Sequence, residues 1–379
     1  METIGFNKPY MSGKELYYIA RAHFNARLAG DGPFTAACHE SLEGFVGCKR
    51  ALLTHSCTAA LEMSALLLDI QPGDEVIMPS YTFVSTANAF ALRGGVPVFV
   101  DIREDVLNLD ESLIEAAITP RTRAIVPVHY AGVGCEMDTI LDIAARHGLK
   151  VVEDAAQAFM SRYKGRPLGG IGDLGALSFH ETKNVISGEG GALLVNDASL
   201  IARAEIIREK GTDRTRFFRG EADKYTWQEV GSSFLPGELT AAFLLAQLED
   251  AREITRRRIE AWNHYHELLQ PLEAGGLLRR PVVPPECEHN GHMYYVLLPA
   301  EVDRQHVLAE LLGEGIHAVF HYVPLHDSPA GRRHGRVHGT LKQTEDLAAR
   351  LIRLPLWVEI SRPQQARICA TLRRVLEKS

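Results

Sequence analysis

Short apolar runs alternate with segments of helical periodicity between about residues 52 and 154. The apolar runs are rich in β-branched residues and nearly continuous, which is typical of strands covered on both faces. They occupy residues 75–78, 96–100, 124–128 and 150–152. The helical segments between them occupy residues 58–69, 85–92, 111–118 and 137–147. This alternation predicts an α/β fold with a mainly parallel sheet.

The pattern changes in the second half of the chain. Residues 236–269 predict one long helix or two helices in series, and prolines 281, 284 and 285 then mark a break. The remainder predicts strands at 293–298 and 317–322, helices at 304–312 and 363–377, and a loop at 331–339. We therefore expect a large domain over residues 1–250 and a smaller α+β domain over residues 251–379.

Composition excludes several classes of protein. The 379 residues include 41 Lys and Arg against 48 Asp and Glu, a net charge of −7, which argues against general nucleic-acid binding. The six cysteines form no CxxC pair, and their number suits a reducing compartment. No run resembles a signal peptide or approaches the roughly 20 apolar residues of a membrane span, so we expect a cytoplasmic protein without membrane contact. His334 and His338 lie in a glycine-containing stretch, and no metal site is predicted.

Polar residues of types that take part in catalysis follow two apolar strands. Asp154 ends one strand, and Gln157 comes three residues later. Ser178 ends another strand, and Lys183 follows it just before the glycine-rich residues 187–191. Because parallel sheets bind ligands at the carboxyl ends of their strands, these residues are candidates for one site. Taken singly, Asp154 also suits a helix cap and Lys183 a solvated surface.

These residue types suit a carbonyl cofactor. A lysine amine in its neutral form can form a Schiff base with such a cofactor. Pyridoxal phosphate (PLP) also needs a carboxylate at its pyridine nitrogen, so that the ring can accept electrons. Thr58 lies where a helix begins, and the N-terminus of a helix suits the phosphate group.

Six motifs occur in order along the chain and carry a family resemblance. They are THSCTAALEM, PSYTFVSTANA, PVHYAG, VVEDAAQ, SFHETKN and EGGAL. Together they resemble the DegT/StrS-type sugar aminotransferases over essentially the whole chain. The resemblance implies fold type I of the PLP-dependent transferases, in which a large domain with a mainly parallel seven-stranded sheet carries a smaller C-terminal α+β domain.

The resemblance also implies a role for each matching residue. Lys183 corresponds to the Schiff-base lysine and Asp154 to the partner of the pyridine nitrogen, and both are expected to be catalytic. The other expected cofactor contacts are Gln157 near the phenolic oxygen, Phe83 on the ring face, and Thr58, the Ala59 backbone and Ser178 at the phosphate. Many members carry an asparagine that reaches the phosphate in the neighbouring subunit, where this chain has Ser233.

Candidate substrate residues come from the motif PVHYAG, from the tract FHYVPLH at residues 320–326, which the same resemblance covers, and from one basic stretch. The histidines and tyrosine near the expected site are His129, Tyr130, His321 and His326. Arg214, Arg219 and Lys224 are candidate cations for a diphosphate, since guanidinium groups bind phosphate oxygens in a bidentate manner. For each cation, a simple solvent-facing role stays open.

The resemblance implies a homodimer with shared active sites that uses PLP and L-glutamate. The tracts at residues 66–90 and 207–212 most resemble enzymes that aminate C4 of dTDP-4-keto-6-deoxy-D-glucose. Amination at C3, a PLP sugar dehydratase and a noncatalytic PLP-like binding module are the alternatives. The dehydratases carry histidine at the Schiff-base position, so Lys183 argues against them. A nicotinamide dehydrogenase would need a G-x-G-x-x-G motif after the first strand, which is missing. The sequence leaves the galacto or gluco configuration of the product open.

Overall fold

The computed structural model describes residues 3–214, 217, 220 and 223–378. Its helices are α1 Glu15–Phe24, α2 Pro33–Val46, α3 Cys57–Leu67, α4 Val84–Ala91, α5 Ile114–Ala117, α6 Met137–His147, α7 Ile201–Arg208, α8 Glu238–Glu249, α9 Ala251–Ala274, α10 Arg304–Gly313, α11 Pro329–His334, α12 Lys342–Arg350 and α13 Arg362–Leu376. Its strands are β1 Arg50–Thr54, β2 Glu75–Pro79, β3 Val96–Val100, β4 Thr122–Ile125, β5 Lys150–Asp154, β6 Arg162–Tyr163, β7 Arg166–Pro167, β8 Leu174–Ser178, β9 Gly191–Val195, β10 Cys287–Glu288, β11 Tyr294–Leu297, β12 Arg336–Val337 and β13 Leu351–Leu354.

The main sheet has the strand order β1-β9-β8-β5-β4-β2-β3-β12. Strand β9 is antiparallel to both of its neighbours, and the other pairings are parallel. The expected mainly parallel α/β sheet is therefore confirmed. The two-residue strand β12 adds an eighth member at one edge, beyond the seven that were expected.

Successive residues of the central strands enter two different apolar clusters. Val151 of β5 and Ile77 of β2 pack with α2 and α6 on one face of the sheet. Val152 and Val76, their chain neighbours, pack with α3 and α4 on the other face. Because both faces of the sheet are covered, the residues that point to either face are apolar. The apolar runs in the sequence are therefore continuous. Polar side chains are thereby displaced to the strand ends, where the candidate site lies.

A second, two-stranded antiparallel sheet of β11 and β13 packs with α9, α10 and α13. Trp262 and Tyr265 of α9 lie in the same apolar cluster as Tyr294 of β11 and Ile368 of α13. We propose that these elements form the smaller domain, with its boundary near residue 250. Within the described residues, every helix is too short or too polar to cross a membrane.

Three local predictions need correction or refinement. The segment 236–269 forms two helices in series, α8 and α9, which meet at Asp250. The prediction of a strand at 317–322 is wrong. The segment pairs with β13 only at Val319, and the side chains that follow line a cavity. The loop expected at 331–339 contains the end of α11 and all of β12. Helix α11 begins at Pro329, and the Ser328 hydroxyl caps it by accepting from the amide of Gly331.

A buried carboxylate ties strand β12 to the rest of the sheet. Glu75 of β2 accepts hydrogen bonds from Thr119 at 2.8 Å, from Arg121 at 2.6 Å and from Arg336 at 2.7 Å. The hydrogen bond from Arg336, helped by those from Arg121 and Thr119, lowers the pKa of Glu75 to about 2 from an ordinary 4.5. Ionised Glu75 therefore stabilises the fold at neutral pH.

Replacing Glu75 by glutamine should lower the free energy of unfolding by about 2 kcal/mol at neutral pH, because charge-assisted hydrogen bonds are lost. The pKa of Glu75 is lower in the folded than in the unfolded chain, so this contribution exists above pH 4.5 and disappears as the pH falls towards 2. Urea unfolding at several pH values measures the difference between the two proteins. A difference that stays constant across this range would contradict the assignment.

Candidate active site

A cavity with a volume of about 640 Å³ lies at the carboxyl ends of the central strands. This volume lies within the range of about 300–1,000 Å³ that is usual for small-molecule sites. The lining includes Phe6, Ser56, Cys57, Thr58, Thr82, Phe83, Ser85, Val128, Asp154, Gln157, Ser178, His180, Lys183, His292, His321, Tyr322 and Arg353. Segments from the start, middle and end of the chain thus meet around one space.

Lys183 projects into the cavity from the turn that follows β8. Its amide donates to the carbonyl of His180 at 2.8 Å, which closes this turn. Burial lowers the pKa of the Lys183 amine, and the positive charge of Arg353 acts in the same direction, while Asp154 opposes it. A lowered pKa increases the fraction of neutral amine, which is the form that attacks a carbonyl and accepts a proton.

Asp154 ends β5 and faces the same cavity with a side chain that is almost wholly buried. One carboxylate oxygen accepts from the Thr86 hydroxyl at 2.7 Å, and the other accepts from the amide of Ala156 at 3.2 Å. Burial nevertheless raises the pKa of Asp154 above its ordinary value. A cationic group bound beside it would offset this cost, because a buried carboxylate is stabilised by an opposite charge.

Two helices begin beside this carboxylate and present hydroxyl groups to the cavity. The Thr58 hydroxyl in the first turn of α3 lies 2.7 Å from the Ser85 hydroxyl in the first turn of α4. Ser178 reaches the cavity from the end of β8. First-turn amides have no acceptor within their own helix, so this corner suits a phosphate group. The amide of Ala59, which was expected to contact the phosphate, donates to the Ser56 side chain at 3.1 Å.

Gln157 and Phe83 occupy two other walls. The side-chain carbonyl of Gln157 accepts a hydrogen bond from the backbone amide of Ala131 at 2.7 Å. The side-chain amide of Gln157 donates to the Tyr322 hydroxyl at 2.9 Å. This pairing fixes the orientation of the Gln157 amide. Phe83 is 58% exposed although it lines the cavity, and its ring centroid lies 6.5 Å from that of Tyr322. Its free aromatic face can therefore stack on a flat ligand.

The four histidine and tyrosine candidates separate into different places. His321 lines the cavity, with its Nδ1 atom 3.1 Å from the hydroxyl of buried Tyr130. His129 is fully buried outside the lining. Its Nδ1 accepts from the amide of Cys135, so its Nε2 donates to Glu153 at 2.9 Å. His326 also lies outside the lining, 2.7 Å from the Ser80 hydroxyl. His129, Tyr130 and His326, which were expected to face the substrate, therefore lie outside the lining of this cavity.

The predicted cations do not meet at this cavity within the described chain. Arg214 lines a separate cavity of about 560 Å³, and Lys224 is exposed elsewhere. Arg219 lies outside the described residues. Ser233 is exposed, forms a single bridge with Glu209 and is also absent from the lining. Arg214, Lys224 and Ser233 therefore do not line this cavity within the described part of their own subunit.

Ser85, Tyr322, His292 and Arg353 are among the lining residues that sequence reasoning missed. Ser85 follows Phe83 within a motif that was recognised, and a helix-start serine was the signal that could have found it. Tyr322 also lies within a recognised tract. His292 lies just before β11 and Arg353 lies in β13, both far along the chain, and only the tertiary fold brings them to the cavity that Lys183 lines.

The donor set of the cavity fits PLP. It offers an amine of lowered pKa, a buried carboxylate without a cation in hydrogen-bonding distance among the described residues, hydroxyls at two helix starts and an exposed aromatic face. These groups match the aldehyde, the pyridine nitrogen, the phosphate and the ring of the cofactor. The described residues contain no group of three or more histidine, cysteine, aspartate or glutamate side chains suited to a metal.

Comparisons with known proteins agree with this geometry. Residues 10–373 match the model of the DegT/DnrJ/EryC1/StrS aminotransferase family. The chain is 34% identical over 358 residues to UDP-4-amino-4-deoxy-L-arabinose–oxoglutarate aminotransferase of Shewanella sediminis, with 91% of each chain covered. DesV of S. venezuelae, solved with a ketimine intermediate, is similar at 30% identity and a TM-score of 0.89, with both chains fully covered. The PLP form of Spr1654 from Streptococcus pneumoniae matches at 25% identity and a TM-score of 0.91, covering 100% of this chain and 99% of the other.

Proposed function

Because the chain belongs to the DegT/DnrJ/EryC1/StrS aminotransferase family and is a PLP-dependent sugar aminotransferase, we propose that it acts at C4 of dTDP-4-keto-6-deoxy-D-glucose. L-Glutamate is the proposed amino donor, and a dTDP-4-amino-4,6-dideoxyhexose is the product. The observation that carries the catalytic part is the meeting of Lys183 and Asp154 at one cavity. Burial lowers the pKa of the Lys183 amine and raises the pKa of the Asp154 carboxyl there.

Lys183 and Asp154 are proposed as the catalytic pair. Bound PLP supplies an electron sink for the carbon that loses its proton. Lys183 Nζ would hold the cofactor, and as a neutral amine, which its lowered pKa favours, it would accept the proton from the donor's α-carbon. The Asp154 carboxylate keeps a proton on the pyridine nitrogen, and the Thr86 hydroxyl orients that carboxylate.

The remaining residues are proposed to hold the cofactor. Thr58, Ser85 and Ser178 would donate to the phosphate from two helix starts and a strand end. Gln157 would face the phenolic oxygen, with its side chain held by Ala131 and Tyr322. Phe83 would cover one face of the ring, since its own face is open to the cavity.

Support for amination at C4 comes from a relative and from the sequence. The aminotransferase of Shewanella sediminis carries a 4-amino sugar and oxoglutarate in its name. Oxoglutarate is the product that L-glutamate leaves after donating its amino group. The tract at residues 66–90 supports the dTDP sugar through its likeness to enzymes of that specificity. The C3 position stays the second candidate, since family likeness alone does not fix the carbon.

Purified enzyme with L-glutamate should aminate the 4-keto dTDP sugar and leave the 3-keto isomer unchanged. Both isomers are incubated separately, and product formation and proton coupling constants are read by NMR, which also gives the galacto or gluco configuration. The UDP-linked 4-keto sugar serves as the matched control for the nucleotide. Conversion of the 3-keto sugar alone would overturn the C4 assignment while leaving PLP chemistry intact.

We also propose a homodimer whose active sites are shared. Ser233 is exposed and lies outside the cavity of its own chain. This position is compatible with a contact to the cofactor phosphate of a neighbouring subunit. Arg214, Arg219 and Lys224 stay proposed as cations for the substrate diphosphate. Sedimentation at assay concentration should therefore give twice the mass of the 41.9 kDa chain. A fully active monomer would contradict the shared site.

A further inference from the structure

A buried histidine lines the active-site cavity with one ring nitrogen that has no partner in the described chain. His292 lies just before β11 and is 6% exposed. Its Nδ1 atom lies 3.1 Å from the side-chain oxygen of Asn184, the chain neighbour of Lys183. Its Nε2 atom makes no hydrogen bond to any described residue. The proposed mechanism leaves this nitrogen without a role.

A chain of amide contacts determines which nitrogen of His292 carries the proton. The side-chain NH2 group of Asn184 donates to the carbonyl of Asn290 at 2.9 Å. The side-chain oxygen of Asn184 therefore faces His292, and it accepts from an Nδ1–H group. In the neutral ring, Nε2 then carries a lone pair and acts as a hydrogen-bond acceptor.

The surroundings of His292 keep its ring neutral. Burial is the main cause that lowers its pKa well below the ordinary 6.5. Four neighbouring groups shift this pKa in the same direction, namely Lys183, Arg258, Arg353 and His321. His292 is therefore a neutral acceptor among cationic groups at neutral pH.

The position of the His292 ring is fixed by its backbone contacts. Its amide donates to the side-chain oxygen of Asn290 at 3.0 Å, and its carbonyl accepts from Arg258 of α9 at 2.7 Å. Asn290 in turn donates to the carbonyls of Gln157 and Phe159. The Nε2 acceptor is thus held in place relative to the segment that follows β5 and lines the cavity.

Within the described chain, the Lys183 amine has no acceptor of its own, since no hydrogen bond or ion pair holds its Nζ atom. Burial lowers the pKa of this amine, Cys57 and Asp154 oppose the shift, and Arg353 adds to it. In the proposed site Asp154 is engaged at the pyridine nitrogen. The Cys57 thiol is neutral, because burial raises its pKa. An ammonium group at Lys183 therefore needs another acceptor.

We propose that His292 Nε2 accepts a hydrogen bond from Lys183 Nζ whenever that nitrogen is protonated, and so positions it for proton transfer. This inference rests on the proposed function, because it assumes that Lys183 removes and returns a proton. The proton travels on Lys183 Nζ alone, and His292 stays neutral throughout. His292 is thus a positioning residue that acts through Lys183 in both half-reactions.

The first test measures the pKa of Lys183 in the full-length chain without cofactor. Competitive acetylation over a pH series, followed by peptide mass mapping, gives this pKa for the wild type, His292→Phe, His292→Gln and the control His334→Phe. Phenylalanine removes the acceptor, whereas glutamine keeps an N–H donor and an oxygen acceptor. His334 is an exposed histidine at the end of α11 and lies outside the cavity lining.

The pKa of Lys183 should fall by about one unit in His292→Phe, because a hydrogen bond from a charged donor is lost. His292→Gln should recover most of this difference, and the His334→Phe control should match the wild type.

The second test follows each half-reaction of the cofactor-loaded enzyme by single-turnover absorbance at several pH values. The rate with L-glutamate rises with pH as Lys183 becomes neutral, so the midpoint of this rise should move to a lower pH in His292→Phe, by about one unit. The limiting rate should fall about tenfold, because the amine is no longer oriented and is a weaker base. The sugar half-reaction should lose the same factor, since Lys183 transfers the proton there too.

A measurement on the wild type keeps the proposal testable if His292→Phe does not fold. In protein with ¹⁵N-labelled histidine, the Nε2 resonance of His292 should shift as Lys183 loses its proton. The His292→Gln spectrum identifies this resonance, and the shift should be missing in Lys183→Ala. A resonance that does not change as Lys183 titrates would contradict the contact.

Two further results would overturn the proposal. An unchanged Lys183 pKa in folded His292→Phe would exclude the contact, and a loss confined to the sugar half-reaction would assign His292 to a sugar hydroxyl. A wild-type protein without cofactor absorbance would refute the proposed function instead. The pKa of Lys183 in the chain without cofactor still decides in that event whether His292 holds the amine.

Discussion

Replacing Lys183 by alanine should lower the transamination rate by more than about 10⁴-fold, because both the attachment point of the cofactor and the proton-transferring amine are lost. The wild-type amine is suited to this task, since burial lowers its pKa in the cavity. A coupled assay of oxoglutarate formation measures the rate. Lys164→Ala serves as the matched control, since Lys164 is a surface lysine that pairs with Asp138.

The Lys183→Ala variant should keep its fold. The structural hydrogen bond of this turn uses the Lys183 backbone amide, which alanine retains. Circular dichroism and the unfolding midpoint should therefore match those of the control. Turnover at the wild-type rate in the folded variant would exclude Lys183 from the reaction.

Replacing Asp154 by asparagine should lower the rate by several orders of magnitude. A neutral amide does not hold a proton on the pyridine nitrogen, so the ring loses most of its capacity to accept electrons. The side-chain oxygen of asparagine can still accept from Thr86, and the fold should survive the change. Single-turnover absorbance with L-glutamate measures the effect, with Asp142→Asn at an exposed position as the control.

Near-normal turnover in folded, cofactor-loaded Asp154→Asn would remove Asp154 from the mechanism. The Asp154→Glu variant separates charge from geometry. It keeps the negative charge, so it should retain more activity than the asparagine variant if the charge is what matters. Equal losses in both variants would show that the position of the carboxylate dominates.

The sequence predicts those parts of the fold and site that depend on local pattern. Continuous apolar runs identify β2, β3 and β5, because both faces of each strand are covered. Residues directly after such runs reach the functional edge of a parallel sheet, and for this reason Asp154 and Ser178 line the cavity as expected. The family likeness then assigns roles that the pattern alone leaves open.

Other parts depend on tertiary contacts that leave no local signal. His129 belongs to a family motif near the site, yet its ring turns inward to Glu153, whose carboxylate also accepts three backbone amides. Arg353 looks like an ordinary strand residue until β13 and its neighbours carry it to Lys183. The segment 317–322 has a strand-like composition, but it pairs with β13 only at Val319, and its His321 and Tyr322 side chains line the cavity.

Borohydride reduction of the purified yellow protein, followed by peptide mass mapping, tests the central claim most directly. Reduction makes the bond between cofactor and lysine permanent, so the mass of the attached group marks one peptide. The account predicts one pyridoxyl group per chain, on Lys183, and loss of the visible absorbance. A label on another lysine, or a colourless protein that takes up no label, would contradict it.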